Sequence, residues 1–118
     1  MKKFVAKFAK EFSLNIEATD CENGFEGLDC VYRSHIDKKC IDIIFCDETM
    51  PYMKGSLMMN TICKSIKEEI TSKMLMVSYT SYNDPDKVNY ILSQGADMIK
   101  NKPISYAAFK EIMKNEIK

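Results

Sequence analysis

Two short and almost wholly apolar runs, IDIIFC at 41–46 and KMLMVSYT at 73–80, constrain the fold more than any other feature. A strand with one wet face alternates apolar and polar residues. A strand that is apolar throughout needs cover on both faces, which is the mark of a parallel sheet with helices on either side. The segments around these runs supply such helices. Phe4, Phe8 and Phe12 recur every four residues among lysines, and Phe25, Leu28 and Tyr32 mark a second helical face running to about Lys38. A third helix from about Ser56 carries Leu57, Met58, Thr61, Ile62, Ile66 and Ile70. Asp84-Pro85 opens a fourth, proline being at home in a first turn, with Val88, Ile91 and Leu92 inward and Gly95 as its stop. Tyr106 to Ile117 make the last helix, with Phe109, Ile112 and Met113 toward the core. NIEATDCENG has strand character at its start and a turn at Asn23-Gly24, and ADMIKN is a last short strand.

The expected order is therefore α-β-α-β-α-β-α-β-α, an α/β doubly wound parallel sheet. One hundred and eighteen residues suffice for one domain with a real core. Seventeen basic residues balance seventeen acidic ones, so no net field draws the chain to nucleic acid or to an anionic membrane. Lys2, Lys3, Lys7 and Lys10 read as the solvated side of the first helix. Five cysteines without a CxxC or a paired His/Cys spacing read as structural thiols, Cys30, Cys46 and Cys63 in apolar surroundings, which favours a reducing, cytoplasmic setting. His35, the one histidine, falls on a polar helix end and is expected at the surface. No apolar run approaches the length of a membrane span, and no signal-peptide pattern opens the chain.

In an open parallel sheet the functional crevice lies at the carboxyl ends of the strands. Those ends carry Asp47, Thr80 and Lys102, an acid, a hydroxyl and an amine at successive strands. Each alone has a bland reading: a turn aspartate, a strand-end threonine, a surface lysine. Together they suit phosphoryl capture. A carboxylate can be the nucleophile and form an aspartyl-phosphate, after which alignment and charge neutralisation do most of the work. A lysine ammonium is a point charge for a phosphoryl oxygen, and a hydroxyl can donate to another. Magnesium usually supplies the remaining positive charge.

The motifs carry a resemblance. DETMPYMKG resembles the D-x-x-M-P-x-M-x-G segment of response-regulator receiver domains, CENGFEGL their E-N-G-x-E-A-L segment, VSYTS their A-L-T-A strand end, and QGADMIKNKPI their G-A-D-x-x-x-x-K-P-I/F ending. It spans Lys2 to Lys118. The resemblance implies a flavodoxin-like fold of strand order 2-1-3-4-5, the CheY-like order. It makes Asp47 the phosphoacceptor, Thr80 the switch hydroxyl, Lys102 the lysine that pairs with the phosphoryl group, and the Thr49 backbone carbonyl a magnesium ligand. It also implies a cis Lys102-Pro103 bond aiming the lysine into the site. The implied activity is phosphorelay signalling: transfer of a phosphoryl group from a histidine kinase or phosphotransfer protein, then hydrolysis. That is no conventional enzyme, at most self-phosphorylation from a phosphodonor and aspartyl-phosphate hydrolysis. Phosphorylation in the family shifts a two-state equilibrium of the face around the fourth helix and last strand.

Two departures stand out. Ile99 occupies the position of the family's aromatic switch residue, and Tyr79, on the other strand, does not obviously replace it. The acidic pair that holds magnesium in the family, at the end of its first strand, is absent; Glu17, Asp20 and Glu22 lie on or after the second strand instead. Asp47 is then the remaining carboxylate for the ion, and magnesium binding is expected to be weak or absent. The lacking strand is the central one. Its four or five buried side chains, at about 1.5–3 kcal/mol each, come to roughly the net stability of a domain. The expectation is thus a single receiver-like domain over 1–118, a fragment beginning in its first helix and attached to a larger hybrid kinase, or else a sheet closed by direct pairing of the neighbouring strands. Two other functions compete. One is a phosphorylation-independent pseudo-receiver that docks proteins, favoured by the missing pair and Ile99. The other is a haloacid-dehalogenase-type phosphatase, which fits IIFCDET superficially but needs an aspartate where Thr49 stands.

Overall fold

The two apolar runs and the ADMIKN segment become three parallel strands in a computed structural model that describes residues 1–116. In chain order the elements are α1 (Lys2–Glu11), α2 (Gly24–Ile36), β1 (Ile43–Asp47), α3 (Gly55–Lys67), β2 (Leu75–Thr80), α4 (Pro85–Ser93), β3 (Met98–Asn101) and α5 (Tyr106–Glu116). The sheet order is β1-β2-β3, and the register sets Cys46 opposite Ser78, Asp47 opposite Tyr79 and Thr80 opposite Asn101. Ile117, expected in the last helix, lies outside the described residues.

Residues 21–102 form one compact unit. Its core is Val31 from α2, Met58, Met59 and Ile62 from α3, Ile91 from α4, and Cys46 and Met76 from the strands, with Ile44 and Ile99 packed against them. Alternation along the strands and the register place these four strand residues on one face of the sheet, so α2, α3 and α4 cover that face. A hydrogen bond between the Tyr32 and Ser65 hydroxyls, 2.8 Å, ties α2 to α3. Capping sets the helix starts: the Asn23 side chain accepts from the Glu26 N–H at 3.0 Å, and Asp84 from the Lys87 N–H at 3.4 Å with Pro85 in the first turn. Gly95 follows α4 at φ +120°, a conformation that favours glycine, and a Cβ there would run into the Cys63 sulfur.

Residues 1–20 and 103–116 belong to the other unit. Its centre is aromatic. The Phe4 ring lies 5.7 Å from both the Tyr106 and the Phe109 rings, and Phe8 stacks 4.6 Å from Phe12 and meets Phe109 edge-on. Phe8, Phe109, Ile112 and Met113 are buried, while Lys2, Lys3, Lys7 and Lys10 are exposed, as the spacing predicts.

Several expectations need correction. The segment at 14–21 forms no strand: a parallel strand exists only against a neighbour that pairs with its N–H and C=O groups, and none does so here. The order is α-α-β-α-β-α-β-α. The second helix stops at Ile36 and the third at Lys67 because Lys38 and Glu69 adopt left-handed backbones, φ +59° at each. Ile70, beyond the end of α3, is exposed; Leu57, in the first turn of α3, is exposed too, while Met58 and Met59 beside it are buried. Leu92 is also exposed, Ile91 being the α4 residue that is fully buried. Cys30, Cys40, Cys46 and Cys63 are free thiols; Cys46 is buried, Cys30 and Cys63 are half-buried, and Cys40, like Cys21, is exposed. His35 is exposed.

Candidate functional site

The parallel order puts the carboxyl ends of all three strands on one edge, and within residues 21–102 that edge gathers the polar trio. Asp47 is the last residue of β1, Thr80 the last of β2, and Lys102 follows β3. The Lys102 ammonium donates to Asp47 Oδ2, and the Thr49 N–H donates to Oδ1 at 3.1 Å, so both carboxylate oxygens are engaged. The Lys102 N–H donates to the Thr80 carbonyl at 2.9 Å, which locks the lysine's backbone to the end of β2. Its ammonium also lies 5.1 Å from the centre of the Tyr79 ring, a cation–π arrangement. Asp47 and Tyr79 are register partners, so the ring and the carboxylate flank the same ammonium.

Thr80 is brought to this edge but is not bonded to the carboxylate. It is buried, and its Oγ1 accepts from the Tyr82 N–H at 3.2 Å. Asn101 fixes the same loop by donating to the Tyr82 carbonyl at 3.1 Å. Ile99, where the resemblance places an aromatic residue, packs against the core as an aliphatic side chain.

Behind Asp47 the backbone is held tightly. Gly55 opens α3 flush against the Asp47 carbonyl, and a Cβ there would also sit 2.7 Å from the Cys46 sulfur. Burial, with Glu48 and Asp47 nearby, pushes the Cys46 thiol up to about 12, so it stays a neutral small hydrophobe. Sequence reasoning missed Glu48. It is 2% exposed, and its carboxylate accepts from the Ser56 N–H at 2.6 Å and the Ser56 hydroxyl at 2.9 Å. Its one sequence signal is weak: an acid eight residues before a serine that opens a helix.

A cavity of about 170 Å³ lined by Glu48, Thr49, Met50, Lys54, Tyr82 and Lys87 adjoins this edge. A larger one, about 250 Å³ and lined by Val31, His35, Ile41 and Met74 among others, lies at the opposite, amino ends of β1 and β2. Size does not select the site; the convergence of charged groups does.

The donor set does not fit a magnesium ion. Such an ion is usually held by one or two free carboxylates together with phosphate oxygens and several waters, in near-ideal octahedral geometry. Here the Asp47 carboxylate already faces an ammonium, the neighbouring Glu48 carboxylate is turned onto Ser56, and among the described residues no group of three or more His, Cys, Asp or Glu side chains converges. The Thr49 carbonyl belongs to an exposed residue on the cavity wall.

No family model matches the chain. It is 27% identical over 112 residues to hybrid signal transduction histidine kinase A of Dictyostelium discoideum, covering 95% of this chain but only 5% of that protein's length. Solved structures share its fold at lower identity. One is a chain of the CheX–CheY–BeF3–magnesium complex of Borrelia burgdorferi, with TM-score 0.73, 24% identity, and 99% of this chain and 81% of the other covered. Another is a CheY-like receiver domain of Methanospirillum hungatei, with TM-score 0.72, 19% identity, and 98% and 85% covered. A third is the receiver domain of a Francisella response regulator, with TM-score 0.67, 22% identity, and 98% and 88% covered. The order of five helices and three parallel strands among the described residues, the likeness to these solved structures and the motif resemblance give the chain the α/β fold of the CheY-like response-regulator receiver domains.

Proposed function

We propose that this chain is a phosphorelay receiver in which Asp47 accepts a phosphoryl group from the phosphohistidine of a histidine kinase or phosphotransfer protein. The observation that carries the reading is the Asp47–Lys102 pair at the convergent strand ends. In the reaction an Asp47 carboxylate oxygen attacks phosphorus, the O–P bond forms as the P–N bond breaks, and the imidazole leaves with a proton from solvent. Lys102 stays beside the oxygens and offsets the charge the dianion brings. Thr80 can turn its hydroxyl from the Tyr82 amide toward the new group. Hydrolysis by water returns Asp47 and orthophosphate. No step is assigned to magnesium, which the side chains present do not fit.

The similarity to a small part of a hybrid kinase supports reading the chain as one receiver module of a larger hybrid kinase in the cytoplasm. Among the described residues no helix is long and apolar enough to cross a membrane. A second reading, a pseudo-receiver that docks proteins without phosphorylation, draws on Ile99 and on the poor magnesium fit. One experiment separates them. The chain and its Asp47→Asn variant are incubated with a phosphotransfer protein labelled on its histidine, with and without magnesium. Label moving to the first and not to the second supports the receiver. A partner bound equally by both, with no label moved, supports docking.

A further inference from the structure

Two adjacent carboxylates stand at the end of β1, Asp47 as its last residue and Glu48 just after it, and they are treated in opposite ways. Asp47 is half-buried and faces an ammonium at the sheet edge, whereas Glu48 is 2% exposed. Burying a carboxylate is expensive unless its oxygens are bonded. Both oxygens of Glu48 are bonded to one residue, Ser56, itself 1% exposed in the first turn of α3. The residue before α3, Lys54, makes no side-chain cap, so Glu48 satisfies an orphan N–H of the helix and sits at the positive end of its dipole. The Glu48 carbonyl accepts from the Gly55 N–H at 3.1 Å as well. Three hydrogen bonds therefore bind Glu48 to the start of α3.

We infer that Glu48 is a positioning residue for Asp47: clamped on Ser56, it fixes the 47–49 segment so that the Asp47 carboxylate meets Lys102 and the Thr49 amide. The inference rests on the phosphoacceptor reading above and adds a residue to it. Without the clamp, the Glu48 carbonyl's bond to the Gly55 N–H alone would tie this segment to the start of α3, and the carboxylate at the end of β1 would sample positions away from the ammonium. A misplacement of about 1 Å can cost on the order of 100-fold in rate.

The test compares Glu48→Ala, Glu48→Gln and Ser56→Ala with the unaltered chain. Phosphorylation is timed with acetyl phosphate below the unfolding transition of every variant, and amide hydrogen exchange is followed at Thr49 and, as a control in the sheet, at Val77. The expected result is a loss of at least about tenfold in Glu48→Ala, with faster exchange at Thr49 and unchanged exchange at Val77. Ser56→Ala keeps part of the clamp and falls between. Glu48→Gln restores the rate to within about threefold, because an amide can still accept from the Ser56 N–H and meet its hydroxyl. Equal slowing by Glu48→Gln and Glu48→Ala, or a folded Glu48→Ala that reacts at the unaltered rate, overturns the inference. If Glu48→Ala does not fold, Ser56→Ala decides: an unaltered rate and unaltered Thr49 exchange overturn it. If even the unaltered chain takes no phosphate, the phosphoacceptor reading fails separately, and Thr49 exchange alone judges the clamp.

Discussion

Two carboxylate–lysine pairs join residues far apart in the sequence, one in each compact unit, and they are built alike but placed differently. In the first unit Glu11 on α1 accepts from the Tyr106 hydroxyl at 2.6 Å and from the Lys110 ammonium at 2.7 Å, both on α5. In the second, Asp47 accepts from the Thr49 amide and from Lys102. Both pairs use both carboxylate oxygens, so pairing alone does not mark a reactive site. The surroundings do. Glu11's donors lie one turn apart on a single helix, amid rings: Lys7 sits 4.2 Å above Tyr106, and Lys110 lies 5.5 Å from the Phe12 ring. That is a clasp between two helices. Asp47's partners come from a loop and a strand end, at the edge where strand termini leave room for a ligand.

The sharpest way to break this contrast is to remove each lysine. Lys102→Gln is expected to slow phosphorylation of Asp47 by about 10²–10³-fold, the usual loss for one charge-stabilising donor, measured from label incorporation over time. Lys110→Gln should leave that rate unchanged and lower the thermal midpoint. Comparable slowing by both would erase the distinction.

Acid and base sharpen it next. The Lys110 and Tyr106 hydrogen bonds hold the Glu11 carboxyl below its ordinary value of 4.5. A carboxylate whose folded value is depressed adds stability that is complete above the unfolded value and lost as pH falls through the folded one. The thermal midpoint should therefore fall on acidification below about pH 4.5, and by less in Glu11→Gln. Burial and the Glu11 bond push Tyr106 up to about 12, from 10.0. The neutral phenol's contribution persists below pH 10 and is lost toward 12. Phenolate absorbance should show a tyrosine ionising late, and Tyr106→Phe should remove that late step.

The smallest expected effect concerns the two hydroxyls of β2. Thr80 Oγ1 has the Tyr82 amide as partner, while the buried Ser78 Oγ has none among the described residues. Ser78→Ala should raise stability by about 1 kcal/mol in urea denaturation, since it removes an unsatisfied buried group. A loss would show that this hydroxyl finds a partner in solution.

Much of the sheet was legible because buried parallel strands write themselves as apolar runs. IDIIFC and KMLMVSYT overlap β1 and β2, and their ends placed Asp47 and Thr80 on one edge. What depends on a partner strand was not legible. NIEAT has the composition of a strand, yet composition supplies no neighbour to pair with. Helix ends were missed where no glycine marks them, at Lys38 and Glu69. Glu48 was passed over because its cap reaches across a loop to Ser56, outside any helical or strand period. Asp47 was singled out in the sequence, and the residue beside it was not, because one lies at a strand end and the other answers to a helix that starts after the turn.

The most direct measurement locates the phosphoryl group itself. After treatment with acetyl phosphate, borohydride reduction converts an aspartyl-phosphate to homoserine, and peptide mass spectrometry reads its position. The account predicts homoserine at residue 47. Homoserine at another carboxylate, or a phosphorylated chain with Asp47 intact, would contradict it.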